Sequence, residues 1–162
     1  NSVFGPPPQK RFAPEDLWSH WQAHLHEHIA ADPLLKPTIE ALQERFVVLI
    51  VTNGGSRTQR PKLEQLGLTE LFKPENILVS GELGVWKPDA ELFRLAAKRA
   101  GCHPRECLFV GDDPVRDIEG AAAVGMQTCW VRMERDTDEV FGERACSPDH
   151  IIDHYTGLLE LP

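Results

Sequence analysis

Apolar residues recur at helical spacing between positions 14 and 30, where Leu17, Trp18, Trp21, Leu25 and Ile29 share one face before AlaAspPro at 31 to 33 interrupts the pattern. One amphipathic helix is predicted there. A second, over about 36 to 45, leads into PheValValLeuIleVal at 46 to 51, an unbroken apolar run rich in β-branched side chains that suits a buried parallel strand. Helix and strand then alternate: a helix near 57 to 66, the strand IleLeuValSer at 77 to 80, a helix over 89 to 100, the strand CysLeuPheVal at 107 to 110, a helix over 115 to 124 and the strand ThrCysTrpVal at 128 to 131. Residues 132 to 148 are charged and irregular, and HisIleIleAsp at 150 to 153 reads as a short edge strand with a helix after it. Repeated strand and helix units specify an α/β fold, a parallel sheet with helices on both faces. The proline-rich start, residues 1 to 13, reads as an extended arm.

At 162 residues the chain is long enough for one domain with a real core. No apolar run approaches the roughly 20 residues that cross a bilayer, so no membrane association is expected. A net charge of -8 disfavours nucleic acid, because no basic patch offsets the repulsion of a phosphate backbone. Cys102, Cys107, Cys129 and Cys146 form no CxxC pair and no ligand-like spacing with histidine, which argues against a zinc site or a disulfide framework. The first residues carry neither a basic region nor an apolar core, so no secretory signal is expected; a reducing cytoplasm fits.

The residues with chemistry to offer follow the predicted strands, where open α/β sheets collect their ligands. Thr52 ends the 46 to 51 run and is followed by AsnGlyGlySer, whose small residues leave backbone N–H groups open to an anion; the plainer reading is a strand-to-helix turn. Lys87 stands in TrpLysProAsp at 86 to 89, with Pro88 suited to the first turn of a helix and Asp89 to its positive end. Asp112, Asp113 and Asp117 crowd the end of the 107 to 110 strand, where they would repel one another unless Lys87 or a cation compensates. Magnesium suits such oxygen ligands. Asp113 or Asp117 could equally cap the helix that starts near Pro114.

In order and spacing these stretches resemble the haloacid dehalogenase-like (HAD) phosphatase superfamily, and the resemblance runs from about residue 35 to 131. It implies a Rossmann-like core, with Thr52 as the phosphate-binding hydroxyl, Asn53 and Gly54 as further phosphate contacts and Lys87 neutralising the transferring phosphoryl group. It also implies Mg2+ held directly by Asp112, with Asp113 and Asp117 as supporting carboxylates. Members of that superfamily form an aspartyl-phosphate on an Asp-x-Asp-x-Thr/Val motif after their first strand. No such motif precedes Thr52. AspThrAspGluVal at 136 to 140 matches the bare pattern, but it follows charged residues rather than an apolar run and comes after the aspartate cluster.

In the superfamily the missing strand lies between those that carry Thr52 and Asp112, so its absence would leave two rows of unpaired backbone groups facing a gap. The expectation is therefore a segment of a longer protein, or a central strand supplied by another chain or segment, with these 162 residues alone catalysing nothing. Residues 14 to 34 would be the remnant of a helical cap and 35 to 162 the core. The row His20, His24 and His28, with His26 nearby, reads as a solvated helix flank in preference to a metal stripe. The function implied for the complete protein is magnesium-dependent hydrolysis of a small phosphate monoester, a phosphorylated metabolite. The alternative is an inactive HAD-like binding or regulatory module, and dehalogenation, which needs no metal, is a weaker third option.

Overall fold

Pro14 starts a helix well, since its missing N–H would be unpaired in the first turn anyway, and Glu15 and Asp16 place negative charge where that turn favours it. The result is α1 (Pro14–His28). The computed structural model describes residues 13–29, 32–133, 136 and 146–162, and for 14, 22, 23 and 25–28 the backbone alone. The chain divides into two compact units, residues 1–30 and 31–162. In the first, Trp18 and Trp21 stack with centroids 5.2 Å apart, and the His20 and His24 rings lie at 4.0 Å. Within the predicted histidine row, the side chain of His28, like that of His26, lies outside the described residues. So do residues 1 to 12 of the arm predicted over 1 to 13.

The second unit runs through α2 (Leu35–Gln43), β1 (Ile50–Thr52), α3 (Ser56–Gln65), β2 (Ile77–Val79), α4 (Ser80–Leu83) and α5 (Ala90–Ala100). It continues with β3 (Leu108–Gly111), a π-helical turn at Pro114–Glu119 leading into α6 (Gly120–Ala122), β4 (Gln127–Val131) and β5 (His150–Ile152). Among the described residues every pairing is parallel, as the alternation of strand and helix requires. In β1 and β2 Ile50 faces Ile77 and Thr52 faces Val79; in the other ladder Val110 faces Cys129, which faces His150.

The sheet comes in two pieces, β1 with β2 and β3 with β4 and β5. Among the described residues no ladder joins β1 to β3, although Val51 of β1 packs against the cluster that holds Phe93 and Phe109 of β3. This split explains where the predicted strand at 46 to 51 goes wrong. Only Ile50–Thr52 find a ladder partner, while Phe46 and Val47 are more than half exposed. A second correction concerns Ser80, predicted as the end of a strand: it opens α4 instead. A third concerns Pro88, which precedes the helix because Asp89 makes the stronger terminus, accepting the Glu91 N–H at 2.9 Å.

Burial is concentrated where the predicted strands and α5 meet. Leu78, Val79, Leu92, Phe93, Ile118, Cys129 and Trp130 are all but closed to solvent. Among the described residues no helix is long and apolar enough to cross a membrane.

Candidate active site

Thr52 is the last residue of β1, and its hydroxyl donates to Gln59 Oε1 at 3.0 Å. To donate to an anion it must swing that proton away from Gln59. Beyond it the backbone turns through Gly54 at φ 142°, a conformation that favours glycine, and a Cβ there would collide with the Gln59 side chain. Ser80 fixes the turn from the end of β2: its Oγ accepts the Gly54 N–H at 2.8 Å, and the Gly81 N–H donates to the Gly54 carbonyl at 3.0 Å. Asn53 reaches across to the neighbouring loop, its Oδ1 accepting the Lys87 N–H and its amide donating to the Lys87 carbonyl, both at 2.9 Å. The Gly54 N–H and the Asn53 carboxamide are thus engaged in building the site, with Asn53 clamping the backbone that carries Lys87.

Lys87 Nζ lies 2.7 Å from Asp117 Oδ1, with the two side chains only 13% and 5% exposed. That oxygen has no other partner among the described residues, and Oδ2 accepts the Asp113 N–H at 3.1 Å. The Asp117 carboxyl lies so close beneath Gly111 that a Cβ there would strike it. The π-helical turn delivers this position, because the Ile118 N–H reaches back five residues to the Asp113 carbonyl at 3.3 Å.

Asp113 caps that turn. Its Oδ1 accepts the N–H groups of Val115 at 3.0 Å and Arg116 at 2.8 Å, and its Oδ2 accepts the Arg116 Nε–H at 2.7 Å. Partial burial pushes its carboxyl upward, but the bonds and charge of Arg116 outweigh this and hold it below the ordinary value. Asp112 differs from both neighbours. Its main-chain carbonyl accepts the Trp130 indole N–H at 3.1 Å, while its exposed carboxylate accepts no hydrogen bond among the described residues.

Thr52, Lys87, Asp112 and Asp117 line one cavity of about 330 Å³, together with Asp113, Arg116 and Asp136. Asp136 opens the AspThrAspGluVal stretch whose other residues lie outside the described set; its Oδ2 accepts the Met133 N–H at 2.9 Å. Both cations in the wall are already paired, Lys87 with Asp117 and Arg116 with Asp113. A phosphate ester would meet a surplus of negative charge here unless a further cation entered with it. The donor set suits a hard divalent cation in part: Asp112 offers one uncommitted carboxylate, and magnesium is commonly held by one or two carboxylates plus water and phosphate. Among the described residues no group of three histidine, cysteine or acidic side chains forms a complete ligand set.

The loop is braced by contacts that sequence reasoning missed. Glu82 accepts the Arg60 guanidinium through both oxygens, at 3.0 and 2.7 Å, and the Ser56 hydroxyl at 2.6 Å. These partners stand more than twenty residues apart and carry no local pattern; for Ser80 and Gln59 the only signal was their closeness to the Thr52 turn and the strand ends. The Arg60 bond first, and then Ser56, lower the Glu82 carboxyl from 4.5 to about 2. A depressed carboxylate stabilises the fold fully above its unfolded value, and that contribution disappears as pH falls through the folded one. Urea midpoints of the natural chain and Glu82→Gln are therefore expected to differ at pH about 6 and to converge only as pH falls to about 2.

Parallel strands, a polar cavity of about 330 Å³ at their C-terminal ends and a lysine paired to a buried aspartate define an α/β protein with a charged strand-end site. Residues 14–125 match the haloacid dehalogenase-like hydrolase family, and the chain belongs to it. It is 36% identical over 148 residues to ribulose-1,5-bisphosphate 5-phosphatase of Halopiger xanaduensis, covering 88% of this chain and 61% of that protein. It is 40% identical over 92 residues to phosphoserine phosphatase of Thermus thermophilus, covering 57% of this chain and 36% of the relative. The magnesium-bound crystal structure of the HAD-hydrolase YfnB from Bacillus subtilis superposes with a TM-score of 0.71 at 30% identity, over 91% of this chain and 63% of that one. The chain thus spans less than two thirds of the length of each of these proteins.

Proposed function

We propose that this chain carries the phosphate- and metal-binding half of a phosphomonoesterase active site. The observation that carries the reading is the cavity itself. One uncommitted carboxylate, Asp112, stands in the same wall as the Thr52 hydroxyl and the Lys87 ammonium, which a buried aspartate holds in place. Thr52 and Lys87 would bind the phosphoryl oxygens, Lys87 offsetting the charge that develops during transfer. Asp113 and Asp117 keep Arg116, Lys87 and the turn in register, so that their oxygens support the site from outside the ligand set. Asp112 would hold Mg2+, which when bound neutralises the phosphate and polarises its oxygens. The bound magnesium of the YfnB structure supports that choice.

The gap between β1 and β3 supports the rest of the reading. One strand inserted between two others spaces them by about 10 Å, and its C-terminal end would open into the cavity. We place the nucleophilic aspartate on such a strand, supplied by another part of the protein or by another chain, with residues 14–34 belonging to a helical cap and a small phosphorylated metabolite as substrate. The test is a panel of sugar phosphates, nucleotides, phosphoserine and 2-haloacids offered to the intact protein with and without magnesium. Release of inorganic phosphate that requires the cation is expected. Turnover of haloacids alone, or of nothing at all, would sink the proposal.

A further inference from the structure

Cys102 and Cys107 flank the short turn Pro104–Glu106, between the end of α5 and the start of β3. Four residues separate them in sequence, which is no redox motif, yet their Sγ atoms lie 3.0 Å apart. The turn that joins them is locked by a reciprocal cap: the His103 N–H donates to Glu106 Oε2 at 2.8 Å, and the Arg105 N–H donates to His103 Nδ1 at 3.3 Å. Both thiols are partly exposed, whereas Cys129 is fully buried. The same corner opens on a cavity of about 570 Å³ whose wall holds Cys102 and His103 and, one helical turn apart on α5, the exposed side chains of Arg94 and Lys98. None of these residues lines the cavity of Thr52 and Asp112.

We propose that Cys102 and Cys107 form a reversible redox-modification site, oxidised to an intramolecular disulfide by an acidic low-molecular-weight disulfide seated against Arg94 and Lys98. Cys102, in the cavity wall, attacks first. Its sulfur bonds to one sulfur of the small disulfide, whose S–S bond breaks, and the departing thiolate takes up the proton that Cys102 released. Cys107 then gives up its own proton, its sulfur bonds to Cys102 Sγ, and the second small thiol leaves. Two electrons pass from the protein dithiol to the small disulfide, which ends as two thiols. Burial, and then the closeness of Cys102, push the Cys107 thiol up to about 12. A thiol so raised stays protonated during the first step, which leaves Cys107 as the resolving partner. Arg94 and Lys98 supply the attraction for carboxylates on the reagent.

Intact protein, fully reduced and then incubated with glutathione disulfide, is expected to lose two thiols and two hydrogens of mass. Peptide mapping should place the link at Cys102 and Cys107, and excess reduced glutathione should reverse it. Cys107→Ser is expected to stop at a mixed disulfide on Cys102. Arg94→Glu combined with Lys98→Glu is expected to slow the reaction with glutathione disulfide about tenfold. The same pair should leave the rate with the neutral disulfide of mercaptoethanol unchanged. Retention of all thiols, a link through Cys129 or Cys146, or equal slowing of the acidic and neutral reagents would overturn the proposal.

Discussion

Replacing Asp117 with alanine is expected to lower the melting temperature of the intact protein by roughly 10 °C, the equivalent of about 3 to 5 kcal/mol. The reason is the ammonium left behind. Lys87 is 13% exposed and stands 5.6 Å from the Phe109 ring, so without Asp117 its charge remains in a largely dry setting with no counter-ion of comparable geometry. Lys87→Met should be costly for the mirrored reason, since it strands the Asp117 carboxylate beneath Gly111. The double replacement, Lys87→Met with Asp117→Leu, should be less destabilised than either single one, because burying an apolar pair carries no desolvation cost for charge. Calorimetric melting of the three variants checks this; equal losses in all three would mean that packing rather than charge pairing dominates the site.

Asp112→Asn is expected to behave in the opposite way. Its carboxylate is exposed and accepts no hydrogen bond among the described residues, so the fold should lose less than about 0.5 kcal/mol. Magnesium-dependent turnover should nevertheless fall on the order of 10² to 10³-fold, the scale seen when one fixed charge partner is removed from a polar active site. Steady-state kinetics beside a melting curve separates the two effects. Two aspartates five positions apart would then divide the labour, Asp117 paired to the lysine and Asp112 free, on the proposed reading, to take a cation. A variant at Asp112 that melts early but keeps its rate would invert this assignment.

The order of elements was legible from periodicity because α5 and β4 bury continuous apolar faces, and those faces carry the pattern. What periodicity could not see was pairing. The run at 46 to 51 reads as one buried strand, but a ladder needs a neighbour on the same rows, and only Ile50–Thr52 have one in β2. The helix predicted over 115 to 124 likewise begins as a wider turn, because Asp113 captures the Val115 and Arg116 N–H groups and its carbonyl accepts that of Ile118.

For the site, the strand-end positions of Thr52 and the aspartates could be placed from sequence, whereas Lys87 lies in the loop between α4 and α5, beyond the end of β2. The roles within the cluster were left as alternatives: Asp113 does cap the turn through donors two and three residues away, but that Asp117 and not Asp113 holds Lys87 depends on a contact across 30 residues. Asn53 shows this well: its type suits an anion loop, but its carboxamide is committed to the backbone of Lys87, 34 residues away. The cysteines show the converse. A spacing that matches no motif still brings two thiols to 3.0 Å, because a capped turn folds the chain back on itself.

The most direct test of the cavity is a calorimetric titration of inorganic phosphate into the intact protein, with and without magnesium, beside the Asp112→Asn variant. Saturable binding is expected only when both the cation and Asp112 are present. Equal binding without the cation, or undiminished binding by Asp112→Asn, would contradict the reading of Thr52, Lys87 and Asp112 as one shared phosphate and metal site.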